Sequence, residues 1–137
     1  MTGAPTGAVR RLLRLEGLCV LAAALVGYAR IDASWGLFAA AFLLPDLSFA
    51  GYLAGPRVGA IAYNAVHSYV LPLACLAAAV AFPSTVPLAL GLVWAAHIGF
   101  DRALGYGLKY FEGFGFTHLG LIGRSANSED RNSSVPP

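Results

Sequence analysis

The sequence predicts an all-α fold, a four-transmembrane-helix bundle, from its composition, its four apolar segments and the short connections between them. Of the 137 residues, 58% are hydrophobic and only 12% are charged, and the mean hydropathy is +0.67. Soluble domains carry about 25% charged residues, so this chain has too few polar side chains to cover a surface in water. The composition excludes a typical soluble enzyme, a disordered chain and a disulfide scaffold, and it indicates a polytopic membrane protein.

Four segments are apolar over the length that a membrane helix needs, which is about 20 residues with a range of roughly 17–25. The predicted spans cover residues 12–29, 34–53, 57–82 and 86–110. The first span follows Arg10, Arg11 and Arg14, a basic start that also suits a signal peptide. Glu16 interrupts that start and the sequence around Tyr28 is a poor cleavage site, so we predict a true first span.

The connections between the spans are short, and short connections make successive helices antiparallel neighbours. The predicted topology is therefore up-down-up-down, with both termini on one side. That side carries Arg10, Arg11, Arg14, Arg57, Lys109, Arg124 and Arg131, and the other carries only Arg30. Because basic residues concentrate on the cytoplasmic side, the orientation is N-in and C-in. Residues 1–11 are a predicted cytoplasmic segment, 12–123 the membrane domain and 124–137 a polar tail expected to be disordered.

Small residues recur at four-residue spacing in the fourth span, where such a stripe lets helices in lipid pack closely. The stripe consists of Gly99, Ala103 and Gly107. It would either pack the helices of one chain or join chains, so a homo-oligomer is a predicted state beside the lipid bilayer as partner. The net charge is only +2, without the basic patch that nucleic-acid binding needs, so no nucleic-acid partner is predicted.

Polar side chains lie inside the predicted spans, although an ionisable group there costs about 2.5–3.5 kcal/mol on insertion scales. The most conspicuous are Asp46, Asn64, His67, His97 and Asp101. At about 1.5 Å of rise per residue, they fall near the middle of a hydrocarbon core about 30 Å thick. His97 and Asp101 are four residues apart, so they share a helix face. We predict that three helices bring these side chains into one pocket toward the cytoplasmic half.

Two imidazoles and two carboxylates in one pocket suit a divalent metal such as Zn, Fe or Mn. The predicted ligands are Asp46, His67, His97 and Asp101, and the predicted supporting residues behind them are Asn64, Arg102 and Tyr63. An open coordination position would let the metal activate water. The pattern therefore predicts a metal site that would serve a membrane-embedded hydrolase of an amphiphilic substrate.

Two other hypotheses stay open. The same charges would also form a structural ion-pair network in a non-catalytic scaffold or subunit. Intramembrane Asp and His form proton relays as well, so an oligomer would suit a small proton-coupled transporter or channel. The outer half of the predicted bundle is almost wholly apolar, which disfavours transport through a single chain. Whether the protein is an enzyme is left open, and Arg102 is expected to extend along its helix toward the inner interface.

Two prolines lie within the predicted spans, next to these polar residues. Pro45 precedes Asp46 in the second span, and Pro72 follows His67 in the third. A proline inside a helix lacks a backbone donor and kinks the helix, which leaves a carbonyl four residues earlier in need of another partner. We therefore predict kinks beside the candidate ligands, one of them near Ser68.

Several motifs together resemble one family of small bacterial membrane proteins, domain-of-unknown-function family 4260. The motifs are PDLS at 45–48, GYLAGPRVGAIAYN at 51–64, HSYVLPLA at 67–74, HIGFDRALGYGLKY at 97–110 and THLG at 117–120. The resemblance covers roughly residues 12–123 and includes the polar positions described above. It implies a four-helix integral protein of the bacterial cytoplasmic (inner) membrane, and it implies no particular activity.

Overall fold

The computed structural model describes residue 5 and residues 7–123, and this part of the chain forms four helical segments and one small hairpin. The elements are α1 (Gly7–Tyr28), α2 (Trp35–Phe42), a 3₁₀ helix (Leu44–Ala54), α3 (Pro56–His67), α4 (Val70–Ala81), α5 (Thr85–Leu104), β1 (Phe116–Thr117) and β2 (Gly120–Leu121). The helical fold that the sequence predicts is confirmed. The predicted tail, residues 124–137, lies outside the described residues.

The second helical segment, α2 with the 3₁₀ helix, changes its helix type halfway along. Its first turn is capped by the Ser34 hydroxyl, which accepts two backbone N–H bonds at 3.1 and 3.4 Å. Pro45 has no N–H to bond to the Ala41 carbonyl, and its ring crowds that carbonyl. The α-helix therefore ends before Leu43, and the chain continues as a 3₁₀ helix of 11 residues. A helical segment thus covers the predicted span over 34–53, and where a kink was expected the helix changes to tighter 3₁₀ winding.

The third helical segment is interrupted between α3 and α4. Ser68 takes an extended backbone conformation (φ −91°, ψ 152°), because Pro72 offers no N–H for the Ser68 carbonyl. The predicted span over 57–82 is thus two α-helices of 12 residues each. The interruption falls directly after His67.

The prediction that the fourth span runs to residue 110 is wrong, because α5 ends at Leu104. Gly105 adopts the left-handed conformation (φ 99°), which glycine tolerates best. The N–H groups of Gly105 and Tyr106 bond to the carbonyls of Arg102 and Asp101 at 3.0 and 2.8 Å, the Schellman pattern of a helix end. Residues 105–123, named here the strap, then fold back through the antiparallel strands β1 and β2.

The helix α5 is central to the fold, since it packs against α1, α2 and α4, while α3 packs against the 3₁₀ helix. The helices α1 and α5 run antiparallel, with Gly17 facing Gly99 and Gly27 facing Leu92. A side chain at Gly99 would collide with the backbone of α1. Gly99 therefore serves packing within one chain, whereas Gly107 of the predicted stripe lies in the strap against His118. The predicted homo-oligomer gains no support from these residues.

Two of the helical segments, Trp35–Ala54 and Pro56–Ala81, are long and apolar enough to cross a membrane. Large apolar side chains on them point outward, and Leu53 is 94% exposed. The four-span bundle, its up-down-up-down topology and its N-in and C-in orientation remain predictions. The helix α1 begins at Gly7, within the segment 1–11 that was predicted to precede the membrane domain.

Candidate metal centre

The four predicted metal ligands come from three helical segments and meet at one place. Asp46 lies on the 3₁₀ helix next to Pro45, and His67 is the last residue of α3. His97 and Asp101 are one turn apart on α5. Both interruptions in the middle segments therefore lie beside a candidate ligand, an arrangement that membrane transporters also use at their binding sites.

The donor atoms of these four side chains lie close to one another. The Nε2 atoms of His67 and His97 are 3.1 Å apart. The Oδ1 atom of Asp46 is 3.7 Å from the first nitrogen and 3.5 Å from the second. The Oδ2 atom of Asp101 is 3.6 Å and 4.0 Å from the same two nitrogens. Both imidazoles are buried, so the cluster lies within the fold.

These separations are similar to the edges of a coordination tetrahedron. With Zn–N and Zn–O bonds of 2.0–2.2 Å, two ligand atoms of a tetrahedral ion are about 3.3–3.5 Å apart. The donor atoms of Asp46, His67 and His97 all lie within 4.8 Å of one another, and Asp101 adds a fourth donor on the α5 side. The first three donor atoms are thus grouped closely enough to hold one ion.

Tyr63 sets the orientation of two of the candidate ligands. Its carbonyl is 3.0 Å from His67 Nδ1, and because a carbonyl only accepts, that nitrogen carries the proton. In the neutral ring, Nε2 then presents its lone pair to the centre. The Tyr63 ring stacks on His67 with centroids 3.7 Å apart, and its hydroxyl donates to Asp101 Oδ2 at 2.9 Å. These contacts are those of a residue that supports metal ligands.

Arg102 holds the backbone beside His67, and the expectation that it extends toward the interface is wrong, because it is buried. Its Nη2 donates to the His67 carbonyl and its Nη1 to the Tyr106 carbonyl, both at 2.9 Å. Trp94 Nε1 donates to the Val66 carbonyl at 2.6 Å. Carbonyls at the end of a helix need such partners away from water. Two side chains of α5 thus fix the end of α3 that carries His67.

Asn64 lies outside the cluster, although the sequence suggested it as a supporting residue. Its Nδ2 donates to the carbonyl of Lys109 at 2.8 Å, and its Oδ1 accepts from the N–H of the same residue at 2.7 Å. This paired contact fastens the strap to α3. Asn64 therefore supports the centre only indirectly, by holding the segment that closes it from one end.

Lys109 is a buried charged residue near the centre, and no motif or spacing in the sequence singles it out as a site residue. It is only 3% exposed, and within the described part of the chain its Nζ has no hydrogen-bond partner. The Nζ lies 3.9 Å from the ring centroid of Phe114, 5.0 Å from that of Tyr63 and 5.6 Å from that of Tyr106. Burial lowers the pKa of Lys109 to about 8. Three aromatic faces thus surround the ammonium. Two of these rings, Tyr106 and Phe114, belong to the strap, so they reach the ammonium only because the strap folds back.

The cluster is open on the side of Asp46. The side chain of Asp46 is 40% exposed, against 14% for Asp101. The other sides are closed by rings: Phe42 packs edge-on against His97 with centroids 5.0 Å apart, and Tyr63 covers His67. Within the described residues, His97 Nδ1 is buried and has no partner. A ligand or water would therefore reach the centre past Asp46.

The comparisons with known proteins agree with the resemblance of the motifs. The family model described as Domain of unknown function (DUF4260) matches residues 10–122. This range covers most of the chain and contains every residue of the candidate centre. No curated protein and no solved structure matches the chain.

Proposed function

The chain belongs to the family described as Domain of unknown function (DUF4260), and we propose that it is an integral membrane protein holding one divalent metal ion. The proposed ligands are Asp46, His67, His97 and Asp101. The observation that carries this proposal is the approach of the two imidazole Nε2 atoms to 3.1 Å, with a carboxylate oxygen of each aspartate within 4.0 Å of both.

The membrane location is supported by the surface of the described residues. Large apolar side chains cover much of it, and patches of this extent mark contact with lipid or with other proteins. The proposed arrangement is a four-span bundle in the bacterial cytoplasmic membrane, with both chain ends inside. The segments Trp35–Ala54 and Pro56–Ala81 supply two of the spans, and α1 and α5 supply the others. In lipid, the burial of His67 and His97 spares these two side chains the cost of facing hydrocarbon.

The chemistry of the centre depends on which ion it selects. Two histidines and two aspartates complete a four-coordinate zinc site, which leaves no open position and has a structural role. Mn²⁺ and Fe²⁺ favour higher coordination, and a water ligand would then reach the centre past the exposed Asp46. A metal of the second kind would support hydrolysis of an amphiphile whose polar group reaches the same depth.

The first test is the metal content of the full-length protein, purified in detergent without a chelator and measured by elemental mass spectrometry. We expect about one ion per chain. The variants His97→Ala and Asp101→Ala should lose it, and the conservative variant Asp46→Asn, at the exposed edge of the cluster, should weaken it without unfolding. His118→Ala is the matched control, since His118 lies in the strap and accepts a hydrogen bond from the Leu108 N–H.

Absence of metal from wild-type protein, or metal retained by every cluster variant, would overturn the proposal. A metal-free cluster would then be a structural network, because a proton between the two imidazoles would make their 3.1 Å contact an ordinary hydrogen bond. Loss of metal from His118→Ala to the same extent as from Asp46→Asn would place the ion elsewhere.

Transport is the second candidate, because the interrupted helices resemble those that carry ion sites in transporters. Beyond the cluster, however, toward the N-terminal end of α5, lies a partly open apolar pocket of about 300 Å³. Its walls are Ala41, Leu44, Pro45, Val66, Cys75, Leu90, Val93 and Trp94. Such walls provide no path for an ion or proton, so proton uptake by liposomes containing the protein is expected to equal that of empty liposomes.

A further inference from the structure

A groove with a basic end and an apolar end lies between the N-terminal half of α1 and the C-terminal end of α5. It has a volume of about 280 Å³ and is lined by Arg11, Arg14, Leu15, Leu18 and Ala103. The four residues of α1 follow the i, i+3, i+4, i+7 spacing of one helix face. Both arginines therefore stand at one end of this face, and both leucines stand at the other.

Arg14 is held in place at the basic end of the groove. Its Nε donates to the Ala103 carbonyl at 2.8 Å, which fixes the guanidinium against the end of α5. This bond uses one of the five N–H donors of the side chain, so the terminal amino groups stay available to a ligand. Arg10, on the neighbouring face, has its guanidinium over Gly105 and Gly120 in the strap.

The positive charge of the groove is not neutralised within the described part of the chain. There, each ion pair joins a histidine to an aspartate of the metal centre, and none involves Arg11 or Arg14. Glu16 lines a different cavity, beside Arg102 and His118. Two neighbouring guanidinium groups without a carboxylate are suited to the oxygens of a phosphate.

The apolar end identifies the kind of phosphate. Leu15 and Leu18 are each about half exposed, and they lie about one and two turns beyond Arg11 along α1, so deeper in the proposed membrane. A free phosphate ion would gain nothing from these side chains. A phospholipid would place its phosphate between the arginines and lay its acyl chains along the leucines, and basic pockets at the cytoplasmic side of membrane helices bind anionic lipid headgroups in this way.

We propose that this groove is a binding site for an anionic phospholipid of the inner leaflet, with Arg11 and Arg14 as the phosphate ligands. The proposal rests on the membrane location given in the proposed function and not on the metal ion. A bound lipid would also contact the packing interface of α1 and α5, because Arg14, one of the two phosphate ligands, bonds to the Ala103 carbonyl at the end of α5.

The test is native mass spectrometry of the full-length protein released from detergent with phosphatidylglycerol or phosphatidylcholine added at equal concentration. We expect the wild-type protein to retain phosphatidylglycerol about 30-fold better than the double variant Arg11→Gln/Arg14→Gln, since each basic residue near an anionic headgroup contributes about a fivefold effect. The variant Arg11→Lys/Arg14→Lys should keep most of the preference. Arg57→Gln is the matched control, because Arg57 is also basic and exposed but packs over the Phe111 ring.

Each outcome decides for or against the site. Equal losses in Arg57→Gln and in the double glutamine variant would show that overall charge attracts the lipid, and the groove would be refuted. Retention of both lipids to the same extent by wild-type protein would also refute it, as would displacement of the lipid by inorganic phosphate at a similar concentration. Recovery of the protein in the soluble fraction of cells would refute the membrane location itself, and metal content is measured separately.

Discussion

The first and last helical segments are continuous α-helices, whereas the two middle segments are interrupted. The helices α1 and α5 are unbroken over 22 and 20 residues, and they approach each other through Gly17 and Gly99. The middle segments are broken at Pro45 and before Pro72. The unbroken pair is a frame that fixes His97 and Asp101, and the broken pair brings its ligands to that frame where the chain changes direction. Fold stability should therefore depend most on the frame, and metal affinity on the breaks.

The largest effect is expected from Gly99→Leu, which acts on the frame. A side chain there meets the backbone of α1, and backbone cannot move aside as a flexible side chain can. We expect a loss of about 3 kcal/mol or more in the free energy of unfolding, measured by thermal unfolding in detergent. Gly27→Ala is the control, because its new methyl group meets only the side chain of Leu92. If the two variants were equally stable, the frame would not depend on this contact.

A smaller effect is expected from Pro72→Ala, which acts on a break. The new N–H would bond to the Ser68 carbonyl and let α3 continue into α4, so His67 would turn away from the centre. We expect the protein to fold and its metal affinity to fall about 10- to 100-fold, measured by metal titration with circular dichroism as a check on folding. Pro87→Ala, in the first turn of α5 where a proline costs no helix bond, should leave the affinity unchanged. Unchanged affinity in Pro72→Ala would mean that the break does not position His67.

A still smaller effect is expected from Tyr63→Phe, which keeps the ring stacked on His67 and removes only the bond to Asp101. Loss of such an outer hydrogen bond typically weakens metal binding about tenfold or more, and metal titration would measure it. Tyr69→Phe is the matched control, because within the described residues the Tyr69 hydroxyl is buried without a partner. Equal affinity in both variants would show that Asp101 needs no support from Tyr63.

The helical segments and the meeting of the four candidate ligands could be predicted from the sequence, because both follow from local rules. Apolar length defines the segments, and spacing along a helix places His97 and Asp101 on one face. The positions of Asp46 and His67 along their segments follow from their distance to the segment ends. The prolines marked where the helices would be disturbed.

The contacts that depend on chain reversal could not be predicted in the same way. The helix α5 ends before Gly105, but the sequence stays apolar beyond that residue. A prediction based on composition therefore extended the span to residue 110. Once the strap folds back, Asn64 bonds to the backbone of Lys109, and where α5 packs beside the end of α3, Arg102 bonds to the His67 carbonyl. Each of these partners is at least 35 residues away in sequence, and backbone acceptors leave no trace in the residue pattern.

Lys109, the one lysine in the sequence, is buried in the strap against the Tyr63 ring of α3. Burial lowers its pKa from the ordinary 10.5 to about 8, so between these pH values the unfolded chain binds a proton that the folded chain lacks. The free energy of unfolding then rises with pH across this window. Below about pH 8 both states hold the proton, and the cost of burying the charge is fully present.

Lys109→Met should therefore be more stable than wild-type protein at pH 7, by about 1 kcal/mol, because a thioether of similar length fills the same space without a buried charge. It should also lack the rise in stability between pH 8 and pH 10.5. The measurement is the melting temperature of both proteins at several pH values across this range. Subtracting the wild-type value from the variant value at each pH cancels the contribution of the titrating groups that both proteins share. Parallel curves would mean that the three aromatic rings compensate the buried ammonium fully, and a less stable variant at pH 7 would mean that they overcompensate it.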